Sequence, residues 1–422
     1  MDFLSLAQKY KTPLYVYDLD RIKKQFLSFK NAFSGRKNLI CYALKANSNL
    51  SVIHTLAKLE SGADCVSIGE VRRAILAGVK KYRIIFSGVG KSDEEIYEAL
   101  KLDILFLNVE SSGELERIET IAKSLGKKAR ISIRVNPNID AKTHPYISTG
   151  LHQNKFGVDK ETALKLYLYA KKSSFLEPIG IHFHIGSQLS DLAPIAMSVE
   201  KIAEFARSLL ALKIDLKFFD VGGGIGIAYD NENTIALYDY AQAILGALKG
   251  LDFTIICEPG RYIVGESGYL VTKVLYEKHT QEKRFVIVDG AMNDLMRPAL
   301  YGARHRIKVY RQNHPQSDTQ NQIPDTPMQA ESLCDVVGPI CESGDYLAKD
   351  VMLPPLRAGD LIVFENAGAY GFSMSSNYNT RKRAAEVGME AGKDRLLKHR
   401  ENFADMVNDE LEILYGDTNG SD

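Results

Sequence analysis

The chain has 422 residues, with 53 Lys+Arg against 53 Asp+Glu, 45% hydrophobic and 25% charged residues. That length exceeds one ordinary domain of about 100–200 residues, although an α/β barrel takes about 250 by itself. The zero net charge argues against a dedicated nucleic-acid binder, which carries a basic excess or stripe, and the ordinary globular mixture excludes whole-chain disorder. No apolar run reaches the about 18 residues of a membrane span, and Met1–Ser5 lacks the basic region and apolar core of a signal peptide. The cysteines are Cys41, Cys65, Cys257, Cys334 and Cys341. Their odd number makes no disulfide framework, and without an export signal it points to a reducing cytoplasm.

Taken in chain order, β-rich runs alternate with helical patterns. Pro13–Tyr17 is a candidate strand. Then come Asn38–Leu44, Asp64–Ser67, Arg83–Ser87, Asp103–Asn108, Ala129–Val135, Ile179–Ile185, Leu216–Val221 and Phe253–Glu258. Between them, Val52, Leu56 and Leu59 share one helical face, as do Leu115, Ile118, Ile121 and Leu125. These stripes are read as core. Eight strand–helix units predict a (β/α)8 barrel of the TIM type, with an open doubly wound sheet as the rival. In a barrel the active site lies at the C-terminal strand ends. Lys45, Ser87, Asn108, Arg134, His184, Gly222 and Glu258 would converge there.

After about residue 265 the helices drop out. Tyr269–Tyr276, Arg284–Asp289, Arg306–Tyr310, Cys334–Val337 and Asp360–Phe364 predict a mostly-β second domain, which also takes the N-terminal strand. The stretch 312–329, rich in Gln, Asn, Asp, Ser, Thr and Pro, reads as a solvated loop. Residues 417–422 read as a frayed end.

Several segments carry chemistry. Asp220-Val221-Gly222-Gly223-Gly224-Ile225-Gly226 follows the seventh strand. Alone it is more often a flexible turn, and its spacing is not that of a dinucleotide fingerprint. The eighth strand ends in Glu258-Pro259-Gly260-Arg261, and barrels often bind phosphate through the loops after strands seven and eight. Two glycine turns and an arginine therefore predict a phosphate site. Lys45, closing the first barrel strand, would be an ordinary solvated lysine elsewhere. Opposite a phosphate site it is what a pyridoxal phosphate enzyme needs, the amine engaging the aldehyde while the phosphate anchors the far end. Glu258 would keep the pyridine nitrogen protonated.

His182 and His184 stand at i and i+2 on the sixth strand. Zinc is disfavoured because no third ligand stands at typical spacing. His182 reads as a core histidine, and His184 as a group able to stack on a planar cofactor. Cys341 lies beside Glu342 and Asp345. Neighbouring negative charge raises a thiol pKa, which suits a proton donor better than a nucleophile.

From about Pro13 to Glu386 the chain resembles the diaminopimelate decarboxylase family, of the alanine racemase-like or ornithine decarboxylase-like fold type of pyridoxal phosphate enzymes. The resemblance is carried by Tyr42-Ala43-Leu44-Lys45-Ala46-Asn47, by the segment 143–150 (THPYISTG), by His182-Phe183-His184-Ile185-Gly186-Ser187-Gln188, and by Gly222-Gly223-Gly224. It continues in Glu258-Pro259-Gly260-Arg261, the segment 291–301 (AMNDLMRPALY), Cys341-Glu342-Ser343-Gly344-Asp345 and Gly368-Ala369-Tyr370-Gly371. It implies a barrel over residues 28–265 and a β-rich domain from residues 1–27 and 266–422. The implied cofactor is pyridoxal 5'-phosphate, with no metal.

Lys45 would bond the aldehyde carbon, His184 stack on the ring and Glu258 pair with its nitrogen. Ser187, Gly223, Gly224, Pro259, Gly260, Arg261 and Tyr370 would complete the cofactor site. Arg261, Arg297, Tyr301, Glu342 and Tyr370 would bind substrate: Arg297 and Tyr301 its distal carboxylate, Glu342 its distal ammonium. Cys341 would donate a proton, reaching in from the second subunit of a homodimer whose active sites lie at the interface. The implied reaction converts meso-2,6-diaminopimelate to L-lysine and CO2. Ornithine, arginine and carboxynorspermidine decarboxylases share the fold and the lysine. A non-catalytic pyridoxal phosphate protein is the alternative of a different class. The segment 143–156, rich in polar and glycine positions, is a candidate lid.

Overall fold

The structure is a computed structural model that describes residues 1–140, 155–230, 232–311 and 330–416. The segment 143–150, most of the candidate lid, the loop 312–329 and residues 417–422 lie outside the described residues. The chain divides into two compact units, Leu19–Glu266 and Met1–Asp18 with Ser267–Asp422.

In the second of these units, β1 (Leu14–Asp18) lies between later strands. The unit Leu19–Glu266 is a closed parallel barrel of eight strands. They are β2 (Asn38–Ala43), β3 (Gly62–Cys65), β4 (Ile84–Phe86), β5 (Phe106–Val109), β6 (Ala129–Arg134), β7 (Leu176–His182), β8 (Phe218–Asp220) and β9 (Thr254–Cys257). Closure is made by β2 against β9, Asn38 opposite Ile255. The open-sheet rival is thereby ruled out. Cys41, Ile85, Leu105, Phe106, Ile179 and Ile256 form one buried cluster of this unit, and a fully buried side chain of this size contributes about 1.5–3 kcal/mol.

The outer helices follow from the expected stripes. Leu115, Ile118 and Ile121 are buried on Ser112–Ser124, whose first turn is capped by the Ser111 side chain accepting from Glu114 N–H. A boundary at residue 28 does not hold. The helix Leu19–Ala32 runs through it, and its buried stripe of Leu19, Ile22, Phe26 and Phe29 is continuous. Phe29 stacks on Phe33 and meets Tyr240 and Tyr262 edge-on or tilted, all within the barrel unit.

The other unit is a nine-stranded mixed sheet made of β1 with β10 (Gly268–His279), β11 (Arg284–Val288), β12 (Ile307–Tyr310), β13 (Ser332–Val337), β14 (Tyr346–Leu353), β15 (Leu361–Phe364), β16 (Ala385–Glu390) and β17 (Lys393–Lys398). Their order is β14-β13-β11-β10-β1-β16-β17, with β15 pairing β10 and β12. The N-terminal strand is central, antiparallel to β10 and parallel to β16. Phe3, Leu6, Leu14, Val16, Val271, Val363 and Val387 form its core.

Candidate active site

Loops at the C-terminal ends of the barrel strands bring chemistry together. Lys45 sits in the single 3-10 turn Leu44–Ala46 that follows β2. Its Nζ lies 2.7 Å from Asp64 Oδ2 on β3, and its side chain stays 39% exposed while that of Asp64 is fully buried. An amine so held is aimed by its carboxylate yet reachable. Burial and the Glu258 charge push Asp64 up, and the Lys45 charge opposes them.

Asn108 donates to Ser87 Oγ at 2.9 Å, joining β5 to the end of β4. Arg134, the last residue of β6, donates to Glu110 Oε1 at 2.9 Å, both side chains buried. Glu110 also accepts from Gly157 N–H at 2.9 Å.

The next three loops are stitched to one another. β7 ends at His182, so His184 lies beyond the strand, not on its face as the i, i+2 reading had it. His184 packs where a Cβ at Gly222 would meet its Nδ1. Burial, with the Arg134 and Lys45 charges, holds the His184 pKa well below the usual histidine value, so its ring is neutral. Leu189 N–H donates to Gly224 O at 2.8 Å, and Glu258 N–H to Gly222 O at 2.7 Å.

Gly224 has φ +115°, and a side chain there would strike Gly186 O. A Cβ on Gly223 would strike Glu258 O. These glycines serve close backbone approach and a left-handed turn, not flexibility. Gly260 precedes the short helix Arg261–Val264, and Pro259 O accepts from Ala43 N–H at 3.3 Å, tying that turn to the Lys45 loop. The buried Arg261 guanidinium donates to Ser187 Oγ at 3.0 Å and to the Tyr229 hydroxyl.

Glu258 is 6% exposed. Its Oε2 lies 3.5 Å from His182 Nε2, and its Oε1 has no hydrogen-bond partner. Burial alone would raise its pKa. The neighbouring His182, with the Lys45 charge, outweighs that and brings it down to about 2. Asp220, fully buried, accepts from Gly222 N–H at 2.9 Å. Burial and the Glu258 charge push its carboxyl well above the usual carboxylate range. His182, Asp220 and Glu258 bring ligand-type atoms within 4.8 Å of one another.

The motifs do not single out Asp64, Glu110 or Asp220 as site groups. Asp64 is hidden because the small residues of β3, Gly62 and Ala63, carry little strand signal. The expected strand therefore starts at Asp64 instead of ending just past it. Asp220 shows one usable sign, a charge at the end of an apolar run directly before three glycines.

In the sheet unit, Arg297 opens the helix Arg297–Tyr301 and is buried. Its Nη1 lies 2.8 Å from His305 Nε2, and His305 Nδ1 lies 2.8 Å from Glu365 O. Tyr301 is half-buried. Cys341 is a free, exposed thiol on the loop after β13. Glu342 accepts from the Tyr378 hydroxyl at 3.0 Å. Asp345, expected only as an acidic neighbour of Cys341, is buried and accepts from Met292 N–H and Ile340 N–H, both at 2.7 Å. It ties the cysteine loop to the loop preceding Arg297. Tyr370 adopts φ +57°, a left-handed conformation that a bulky side chain rarely holds.

These groups fit pyridoxal 5'-phosphate on the barrel side. A reachable amine, a buried ionised carboxylate with one oxygen lacking a donor, and two backbone turns that exclude side chains beside a buried arginine match its aldehyde, ring nitrogen and phosphate. No helix among the described residues is long and apolar enough to cross a membrane.

The family profile described as "Pyridoxal-dependent decarboxylase, pyridoxal binding domain" matches residues 19–265. The diaminopimelate decarboxylase of Helicobacter pylori is 61% identical over 417 residues, covering 98% of this chain and 99% of the relative. That of Campylobacter jejuni is 58% identical, covering 96% and 98%. The crystal structure of the Helicobacter pylori enzyme complexed with L-lysine superposes with a TM-score of 0.91 at 61% identity, covering 97% of this chain and 100% of that one. Pyridoxal phosphate is the cofactor of this family, and the chain belongs to the pyridoxal-dependent decarboxylases, within them to the diaminopimelate decarboxylases.

Proposed function

We propose that the protein decarboxylates meso-2,6-diaminopimelate to L-lysine and CO2, the last step of lysine biosynthesis. The observation that carries the reaction type is Glu258, buried and ionised at the barrel mouth that also holds the half-exposed Lys45. Bound pyridoxal 5'-phosphate supplies an aldehyde that engages amines and a ring that accepts the electron pair left when CO2 departs.

Lys45 holds the aldehyde end, and Asp64 aims its amine. Glu258 keeps the ring nitrogen protonated, which decarboxylation needs. The neutral His184 would lie against the ring of the bound cofactor and hold it in place. Ser187, Gly223, Gly224, Pro259, Gly260, Arg261 and Tyr370 hold the phosphate end, with Arg261 and Tyr370 also reaching substrate.

Arg297 and Tyr301 bind the distal carboxylate and Glu342 the distal ammonium. Cys341 of the partner subunit, in a cytoplasmic homodimer, returns a proton to Cα. The buried Arg297 is suited to meet a distal carboxylate that a diamine-type substrate such as ornithine lacks, which favours diaminopimelate over the related decarboxylase reactions. CO2 release from meso-diaminopimelate, ornithine and arginine, measured side by side with added cofactor, tests this. Release from diaminopimelate at least tenfold above the other two is expected; equal or reversed rates would remove the substrate assignment.

A further inference from the structure

His182 is 1% exposed, and neither ring nitrogen makes a hydrogen bond of ordinary length. A buried imidazole left this way is costly unless charge compensates it. The groups around it decide its role. β8 presents Asp220 and β9 leads into Glu258, both within 4.8 Å of His182. On the other side Arg134 is its register partner on β6, and Arg134 is engaged by Glu110.

A neutral imidazole offers one donor and one acceptor. An ionised carboxylate can only accept, so an acceptor nitrogen facing Glu258 would be wasted.

We propose that His182 is a positioning residue: it directs Nε2–H at Glu258 Oε2, 3.5 Å away, and turns that carboxylate so that Oε1 serves the ring nitrogen of the cofactor. This rests on the reading that Glu258 meets the ring nitrogen. It assigns His182 a task in place of the core-histidine reading. Asp220 supports the same carboxylate from the β8 side.

The test uses holoenzyme reconstituted with pyridoxal phosphate carrying nitrogen-15 in its ring. The nitrogen-15 resonance is read in wild type, His182→Gln, His182→Asn and His182→Leu. A glutamine amide reaches the Nε2 position and donates. An asparagine amide stops near Nδ1, and leucine donates nothing.

The expected result is a pyridinium resonance in wild type and His182→Gln, and a shift toward neutral pyridine in the Asn and Leu variants. In those two, kcat falls by about 10–100-fold, the worth of a hydrogen bond to a charged group, while KM changes little. A folded, cofactor-loaded His182→Leu with the wild-type resonance would overturn the proposal. If that variant does not load, the Gln and Asn pair decides, and identical resonances for the two would overturn it. A neutral-pyridine resonance in wild type itself would instead remove the Glu258 reading on which it rests.

Discussion

Glu258→Gln isolates the charge on which the reaction type depends. The amide keeps the side chain's size and an acceptor oxygen, and removes one negative charge from a site that is 6% exposed. In that environment the charge matters. At an effective dielectric of about 20, two unit charges about 3.5 Å apart interact by about 5 kcal/mol. Breaking a buried pair by removing one partner costs about 3–5 kcal/mol. A loss of that size at the electron-accepting ring lowers kcat by about 10²–10⁴-fold. The assay is CO2 release from meso-diaminopimelate at saturating substrate and cofactor, with cofactor affinity measured separately by fluorescence titration. A fully loaded Glu258→Gln enzyme within threefold of wild-type kcat would refute the reasoning, since the ring nitrogen would then need no ionised partner.

The remaining predictions concern the sheet unit. Arg297→Ala should raise KM for diaminopimelate by about 10–100-fold through loss of a charge-assisted carboxylate contact, with kcat less affected; steady-state kinetics check it. Cys341→Ala should lower kcat by about 10²-fold or more with KM nearly unchanged, the signature of a lost proton donor. Alkylation of the exposed thiol should reproduce that loss. Burial raises the Asp294 carboxyl to about 7 from its ordinary 3.8. Its folded pKa lies above its unfolded one, so the stability it contributes is present below about 4 and lost as pH rises toward 7. Asp294→Asn should therefore match wild type in thermal melting near pH 4 and exceed it above pH 7, by up to about 4 kcal/mol. An unchanged difference across that range would contradict the assignment.

Much of the barrel is legible in the chain because most strands are short apolar runs that end in, or lead into, a polar residue. Lys45, Arg134 and Glu258 stand where such runs stop, and the structure brings them to one end of the closed sheet. The glycine turns are legible as composition, but their reason is tertiary: Gly223 and Gly224 exist because neighbouring backbone carbonyls of Glu258 and Gly186 approach them.

In the sheet unit β1, β10, β11, β12, β13 and β15 show in the sequence, while β14, β16 and β17 do not. β17 (Lys393–Lys398) has four charged residues in six, and β14 is an edge strand with only Leu347 and Leu353 buried. β16 carries the buried Glu386, which is satisfied by the Tyr17 hydroxyl at 2.8 Å across the parallel pairing with β1. No local pattern announces a partner 369 residues away. The same holds for Asp64, Asp220 and His182, whose meaning lies in what the barrel places beside them.

The most direct measurement is the stoichiometry of CO2 and L-lysine formed from meso-diaminopimelate by the holoenzyme and by its Lys45→Ala variant. Wild type is expected to yield one L-lysine per CO2 and to stop when pyridoxal phosphate is stripped, and the folded variant to yield neither product. A Lys45→Ala protein that turns over at the wild-type rate would contradict the account.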